Sequence, residues 1–316
     1  MSKSAVSLIV VLSVLFFQFY IIQTGGGAGR EAEGIAALGI PAAHAGAFEK
    51  TDSKESVYDR VMRTGKIRCG YAMWTPVLYK DLETGKLSGM FYDLMEEVGK
   101  RLDLEIVWTE ESGWGTVVEG IVTNRYDMIC AGLGYNSARA KFIDFGQPIF
   151  YTPMYVAVRA GDTRFDGNIR EILNDPDYTI AVLDGELSSV VARQIFPEAQ
   201  TSAMSQILDY SQLFIEVEMG KVDATLVEPG AFRQYEKHNP GKLRMLDGGP
   251  PVNVFPISVG LPPGDTVFNR MVDVVLIELT NDGTVERILN KYEEFPEAFL
   301  RPMIPYKPYA LPEESS

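Results

Sequence analysis

The sequence predicts an α/β fold, because from Val57 onward short apolar segments alternate with amphipathic ones. The apolar segments have the length of strands, and the amphipathic segments repeat their apolar residues with helical spacing. With 46% hydrophobic and 23% charged residues, the 316-residue chain is globular and can bury a large core. One or two domains are therefore expected.

The first part of the chain predicts three strands joined by two helices. The strands are GKIRCGYAM, LEIVWTE and YDMICAG, and the helices are MFYDLMEEVGKRLD and a segment from about Trp114. The first helix repeats apolar residues at Phe91, Leu94, Met95, Val98 and Leu102. This order of elements implies a parallel sheet with right-handed crossovers, whose ligands bind at the carboxyl ends of the strands.

A second α/β unit follows the first. A strand, YTIAVLDG, ends at Gly185, and the helix ELSSVVARQIF begins there. The segment DYSQLFIEVEMGKVDATLVEP predicts a helix and a strand, and LRMLDGG predicts another strand. Two helices, TVFNRMVDVVLIELTND and GTVERILNKYEEF, close the fold.

The first residues predict export. Ser7–Ile22 is a nearly uninterrupted apolar run after Lys3, which is typical of a signal peptide or a membrane anchor over residues 1–23. A flexible Gly- and Ala-rich linker is predicted over residues 24–56. Its Ala43–Ala45 satisfies the small-x-small rule for cleavage, but lies far from the apolar run, so cleavage and retention both stay open. A periplasmic or extracytoplasmic protein is expected, with anchoring to the inner membrane left open.

Charge and histidine content exclude several functions. The net charge of −14 argues against nucleic acid or an anionic lipid surface as a partner, because both require a basic patch. The two histidines, His44 and His238, leave almost no material for a histidine metal site or a Ser-His-Asp triad. No metal and no cofactor are therefore expected.

The two cysteines, Cys69 and Cys130, are far apart and each lies in an apolar run. They form no C-x-x-C motif for zinc or redox chemistry. This pattern favours buried, unreactive thiols over a disulfide.

Five segments in a fixed order carry a resemblance to a known family. They are GKIRCGY, ETGKLSGMFYDLMEEVGKRL, WGTVVEGIVTNRYDMICAGLGYNSARAKFIDFGQPIFYTPMYVAV, GKVDATLVE and NDGTVERILNKY. From about Gly65 to Tyr292, the chain resembles the bacterial extracellular solute-binding proteins of family 3, which serve polar amino acid ABC transporters. The resemblance implies the type II periplasmic binding protein fold, in which two lobes, each a mostly parallel sheet flanked by helices, are joined by two crossing segments and close by hinge motion.

The resemblance also implies where the lobes begin and end. The crossings are expected near Tyr155–Arg159 and Val252–Ile257. Lobe 1 then comprises residues 57–156 and 255–301, and lobe 2 comprises residues 157–254. A proline-rich tail is expected over residues 302–316.

Two charged residues are the leading ligand-binding candidates. Arg139 directly follows the third predicted strand and matches the arginine that binds the ligand carboxylate in the family, where a planar guanidinium can form two hydrogen bonds. A salt bridge with Asp144 and a surface role are the alternatives. Glu228 stands where the family usually has an aspartate that binds the ligand ammonium. A strand-end carboxylate in solvent is its alternative.

Further candidates are aromatic, glycine and hydroxyl residues. Trp114 and Trp74 match or adjoin aromatic ligand positions of the family, with the core as the alternative. Gly132 and Gly134 lie where a ligand can approach backbone. At the position of Gly134 the family carries a hydroxyl residue that helps to hold the ligand ammonium. The loss of this hydroxyl leaves room for a small carboxylate other than a standard amino acid. Two serines, Ser188 and Ser189, begin the second-lobe helix, where they either bind an anion or cap the helix.

The resemblance implies non-catalytic capture of a small carboxylate-bearing solute, an amino acid or a relative, for delivery to an ABC permease. The first alternative is a membrane-tethered sensory domain that reports ligand to a signalling partner. The second is an enzyme similar to cyclohexadienyl dehydratases. Those enzymes carry a glutamate where this chain has Ser189, which argues against catalysis.

Overall fold

The structure, a computed structural model, describes residues 55–81, 83–205 and 210–303. Among these residues no helix is both long enough and apolar enough to cross a membrane.

Three predicted segments lie largely or wholly outside the described residues. They are the leader (1–23), nearly all of the linker (24–56) and most of the proline-rich tail (302–316).

Helices and strands alternate along the described chain. The helices are α1 (Val57–Thr64), α2 (Met90–Leu102), α3 (Val117–Val122), α4 (Ile169–Ile172), α5 (Leu187–Ile195), α6 (Ser211–Glu218), α7 (Pro229–His238), α8 (Thr266–Asn281) and α9 (Thr284–Tyr292). The strands are β1 (Lys66–Tyr71), β2 (Tyr79–Lys80), β3 (Leu87–Ser88), β4 (Glu105–Glu111), β5 (Met128–Gly134), β6 (Asp144–Phe145), β7 (Phe150–Arg159), β8 (Thr179–Leu183), β9 (Gln200–Met204), β10 (Ala224–Val227), β11 (Leu243–Met245) and β12 (Asn253–Leu261). Short 3-10 turns occur at Arg139–Lys141 and Thr163–Phe165.

The main sheet has the strand order β4-β1-β5-β12-β7-β10-β8-β9. At one end β1 pairs in parallel with β4 and β5, and at the other end β8 pairs in parallel with β9 and β10. We call these ends, with their helices, the first half and the second half. Between them the long strands β7 and β12 pair antiparallel. The predicted two-lobed α/β fold with two crossing segments is confirmed.

Strands β7 and β12 change partners along their length. Residues Phe150 to Met154 of β7 pair with β12, whereas Tyr155 to Val158 pair with β10. Strand β12 in turn continues from β7 to β5 at Ile257. The predicted crossing segments overlap these two strands, and the lobe boundaries at residues 156 and 254 stay predictions.

Helix α2 anchors the first half. Its predicted apolar face is buried at Phe91, Leu94, Met95 and Val98, which are at most 1% exposed. Fully burying such side chains stabilises a fold by about 1.5–3 kcal/mol each. The helix ends because Asp103 adopts a left-handed conformation with φ 54°. Strand β5, which leads to the candidate site, packs against this helix.

The cysteines correct one prediction. Cys69 of β1 and Cys130 of β5 form a disulfide with Cα atoms 5.3 Å apart, so the prediction of unbonded thiols is wrong. The two strands are parallel neighbours, with Cys69 opposite Met128. A sequence separation of 61 residues concealed this proximity. A disulfide is compatible with the predicted export, because such bonds persist in oxidising compartments.

We expect this disulfide to stabilise the fold, because it closes a loop of 61 residues in the unfolded chain. Loop-closure entropy gives an upper value of about 4 kcal/mol. Urea unfolding of the wild-type chain with and without reductant should show a lower midpoint in reductant. The Cys69→Ala/Cys130→Ala double variant is the control, and its midpoint should not respond to reductant. Two titratable thiols in the denatured, unreduced wild-type chain would contradict the bond.

Candidate functional site

Residues from both halves meet around one small cavity, which we call the chamber. It lies at the carboxyl ends of β5, β8 and β10, where open α/β sheets bind ligands. Its volume of about 10 Å³ is roughly the space of one water molecule. The chamber is lined by Trp74, Trp114, Gly132, Gly134, Arg139, Glu186, Leu187, Tyr210 and Glu228.

Arg139 connects the two halves at the chamber. It lies in the 3-10 turn after β5, and Asn136 Oδ1 accepts a hydrogen bond of 2.9 Å from its backbone N–H. Its Nη2 donates to the carbonyl of Trp114 at 3.2 Å and to the carbonyl of Gly185 at 2.9 Å. Because Gly185 belongs to the second half and Trp114 to the first, the guanidinium holds the halves together.

Burial shapes the electrostatics of this guanidinium. Arg139 is 9% exposed, and burial lowers its pKa, while the Glu186 carboxylate and Tyr210 oppose that shift. An arginine side chain stays charged in proteins, so a positive charge is held inside a nearly closed cavity. Such a charge requires acidic groups or a ligand anion nearby.

Neither sequence alternative describes Arg139. Within the described chain, Asp144 accepts hydrogen bonds from Asn269 Nδ2 at 2.8 Å and from the Gly264 N–H at 3.3 Å, and it forms no ion pair with Arg139. The guanidinium is also not a solvated surface charge, because Arg139 is buried.

Glu186 supplies one of the acidic groups. It is 5% exposed, and it caps helix α5 by accepting a 2.7 Å hydrogen bond from the Ser188 N–H through Oε2. Sequence reasoning missed this residue as a site candidate. The available signal was an acidic side chain directly after Gly185, at the end of a parallel strand.

The two predicted serines serve the turn rather than the chamber. Ser188 Oγ accepts a 3.1 Å hydrogen bond from the Leu183 N–H, and Ser189 Oγ donates a 2.7 Å hydrogen bond to the Glu186 carbonyl. Neither serine lines the chamber. Neither serine is the N-cap residue of α5, which is Glu186, so the capping alternative does not describe them either, and their contacts hold the turn at the start of α5.

Glu228 is the second acidic group. It directly follows β10 and is the N-cap residue of helix α7, whose first residue is Pro229. Glu228 is 4% exposed, and its Oε2 is buried without a hydrogen-bond partner among the described residues. Burial, together with repulsion from Glu186, raises the pKa of Glu228 to about 8. Glu228 is therefore not the solvent-exposed carboxylate that the sequence left as an alternative.

Tyr210, at the start of α6, completes the polar part of the chamber. Its pKa is raised well above the ordinary value by burial and by the carboxylates of Glu186 and Glu228, so its hydroxyl is protonated at neutral pH. Sequence reasoning missed Tyr210, because only tertiary packing brings α6 to this cavity. The chamber thus holds one guanidinium, one neutral phenol and two carboxyl groups.

Close backbone approaches shut the chamber. A Cβ added to Gly134 would lie 2.8 Å from Leu187 Cδ1, and one added to Gly185, which has φ +73°, would lie 2.8 Å from the Gly115 Cα. Both contacts join the first half to the second. A larger residue at Gly185 would meet the Gly115 backbone and hold the halves apart, whereas a larger residue at Gly134 would displace the Leu187 side chain.

The tryptophans form part of the chamber walls. Trp74 and Trp114 are partly buried, and the Arg139 Cζ lies 6.0 Å from the centre of the Trp114 ring. The Trp74 ring lies 6.2 Å from that of Phe150 and occupies the space beside Gly132, where an added Cβ would lie 3.1 Å from Trp74 Cζ3. Each tryptophan therefore contacts the core and also faces the cavity.

The chain is similar in sequence to known proteins. Residues 67–295 match the family described as bacterial extracellular solute-binding proteins, family 3. The chain belongs to this family. The L-cystine-binding protein TcyA of Bacillus subtilis is 26% identical over 270 residues, which cover 82% of this chain and 92% of that protein.

Two solved structures share the fold. The ancestral amino acid-binding protein AncCDT-1, described as a precursor of cyclohexadienyl dehydratase, gives a TM-score of 0.64 at 23% identity and covers 75% of this chain and 99% of its own. The substrate-binding protein of an amino acid ABC transporter gives a TM-score of 0.61 at 21% identity, with 73% and 100% coverage.

The raised pKa of Glu228 predicts how stability changes with pH. In the unfolded chain Glu228 has its ordinary pKa of 4.5, whereas in the folded chain its pKa is about 8. Between these two pH values the folded state therefore binds more protons than the unfolded state. Stability contributed by this proton is complete below pH 4.5 and is lost as the pH rises through 8. The loss is at most about 1.4 kcal/mol for each pH unit.

Glu228→Gln should remove this loss, because glutamine stays neutral. Urea unfolding from pH 5 to pH 8 should show a smaller decline in the free energy of unfolding for Glu228→Gln than for the wild-type chain. Glu111→Gln is the matched control, since Glu111 is an exposed carboxylate paired with Lys80. Parallel profiles for wild type and Glu228→Gln would contradict the assignment.

Proposed function

We propose that this protein captures a small solute with both a carboxylate and an ammonium group, an α-amino acid or a close relative, and presents it to an ABC-type permease. The observation that carries the proposal is Glu228, whose buried Oε2 has no partner in the described chain while it shares a cavity with the buried Arg139. A ligand with opposite charges at one end would satisfy both groups.

The carboxylate would bind Arg139. The hydrogen bonds from its guanidinium to the described residues all involve Nη2, which leaves the Nε and Nη1 groups for an anion. A carboxylate accepts such bonds in a fixed planar geometry, and the exclusion of water makes them stronger than on the surface.

The ammonium would bind Glu228, with Glu186 and Tyr210 nearby. Leaving a buried oxygen unpaired costs about 1–3 kcal/mol, and an ammonium donor would remove that cost. A nearby ammonium would favour the ionised form of Glu228, so binding would release its proton.

Entry of a solute would require the halves to separate. The chamber has room for about one water molecule, and it is closed by the contacts of Leu187 with Gly134 and of Gly185 with Gly115. Strands β7 and β12 are the connections about which such a hinge motion would occur. A permease would then recognise the closed form.

The relatives support this proposal over its alternatives. The family and the compared relatives are named as binding proteins, and TcyA is named for L-cystine. A tethered sensory domain and a dehydratase-like enzyme are not favoured. The family name also supports a location outside the cytoplasm, and we propose the periplasm, with the segment before residue 55 as either a removed leader or a tether.

Arg139→Lys tests the carboxylate contact. Lysine keeps the charge but loses the planar fork, so amino acid affinity should fall roughly 10- to 150-fold, the equivalent of about 1.5–3 kcal/mol. Isothermal titration calorimetry gives the affinity, and the melting temperature without ligand checks the fold. Lys141→Arg, a conservative change of an exposed residue in the same turn, is the control. An unchanged affinity would remove Arg139 from the site.

Glu228 should release protons when an amino acid binds, because a nearby ammonium lowers its pKa from about 8. Calorimetry at pH 7.5 in phosphate and in Tris, whose ionisation enthalpies differ, should therefore give different binding enthalpies. Glu228→Gln should abolish the difference and weaken amino acids more than simple carboxylates. The same buffer dependence in wild type and variant would show that another group binds the ammonium.

A further inference from the structure

The chamber adjoins a much larger cavity, which we call the groove. Its volume is about 1090 Å³, against about 10 Å³ for the chamber. Trp74, Trp114 and Tyr210 line both cavities, so the chamber and the groove are neighbours that share these side chains as walls. The groove has the size of sites that hold drug-sized molecules.

Aromatic rings form part of the groove walls. They come from the loops after β1 and β4, from α6 with the residue before it, from α7, and from the end of α9 with the segment after it. The rings are Trp74, Trp114, Tyr210, Phe214, Tyr235, Tyr292, Phe295 and Phe299. Phe214 and Tyr235 pack against each other with ring centres 4.6 Å apart. Walls of this kind bind apolar and aromatic groups.

The acidic side chains at the groove already have partners. Glu111 forms an ion pair with Lys80, and Glu294 forms one with Lys237 at 2.8 Å. In the part of the chain that the structure describes, no lysine or arginine lines the groove. His238 also lines the groove, with its Nδ1 3.0 Å from the Gln234 carbonyl oxygen. The charged and titratable side chains at the groove therefore already have partners, and the groove offers an occupant mainly apolar contact area.

The two cavities differ in chemistry as well as in size. The chamber concentrates Arg139, Glu186 and Glu228 in a space that cannot hold a whole amino acid. The groove is wide and partly aromatic, and it shares Trp74, Trp114 and Tyr210 with the chamber. A ligand with a charged head and an uncharged body would match both.

We propose that the solute is an α-amino acid whose side chain carries a bulky, uncharged, largely apolar or aromatic group, with the head in the chamber and the side chain in the groove. This inference rests on the proposed function and names its substrate class. A small amino acid would present its head to the chamber and leave the aromatic walls without contact. Burial of each additional apolar group in the groove would increase affinity.

A series with one common head tests the inference. L-alanine, L-phenylalanine and S-benzyl-L-cysteine share the same head and carry uncharged side chains of increasing size, a methyl group, a benzyl group and a benzyl thioether. Calorimetry on the wild-type chain should show affinity rising along this series, with S-benzyl-L-cysteine at least about tenfold tighter than L-alanine.

Ala231→Trp should fill the groove. Ala231 lines the groove from the first turn of α7 and does not line the chamber. The variant should lose most of the gain for S-benzyl-L-cysteine, while L-alanine should still bind. Gln234→Trp, one turn further along the same groove wall, is a second variant in case the first does not fold. Met219→Trp adds the same ring at an exposed position outside the groove and is the control.

Each outcome decides the inference. Equal affinities along the series, or an unchanged preference in both groove variants, would overturn it while L-alanine binding left the proposed function standing. No binding of any amino acid would overturn both.

Discussion

One buried guanidinium constrains the whole site. Arg139 belongs to the first half, yet its Nη2 donates to a carbonyl of the second half, at Gly185, as well as to that of Trp114. Burying a charge costs several kcal/mol unless the surroundings balance it. The halves can meet at this point because the Glu186 carboxylate favours the charged form of Arg139.

Two buried carboxyl groups show how the fold separates structure from binding. Asp127 is 0% exposed and fully paired, with hydrogen bonds from the Arg68 N–H at 2.6 Å and Arg68 Nη2 at 2.9 Å and a further one from Arg60. It fixes α1 to β1 and β5. Glu228 is as deeply placed but keeps Oε2 unpaired. Since buried polar groups are normally satisfied, this difference favours a ligand as the missing partner of Glu228.

The fold was predictable because strand and helix periodicities alternate and because five motifs follow in order. Arg139 and Glu228 could be placed near one cavity for the same reason, since each follows the carboxyl end of a strand. The disulfide of Cys69 could not, because it depends on which strands are neighbours. The place of Tyr210 in the site could not be predicted either, since only the packing of α6 brings this residue to the chamber. The sequence left the role of Ser188 undecided between anion binding and helix capping, because the partner of its hydroxyl, the Leu183 N–H, is known only from the fold.

The chamber and the groove offer different kinds of contact when the two halves are closed. Gly134 against Leu187 and Gly185 against Gly115 allow an approach that leaves the chamber room for about one water molecule, and charge interactions are stronger in a site with so little water. This leaves no space there for a side chain of the ligand. The groove stays open beyond Trp74, where contacts are apolar and weakly directional. Charge in the chamber would then determine that an amino acid binds, and contact area in the groove would determine which one.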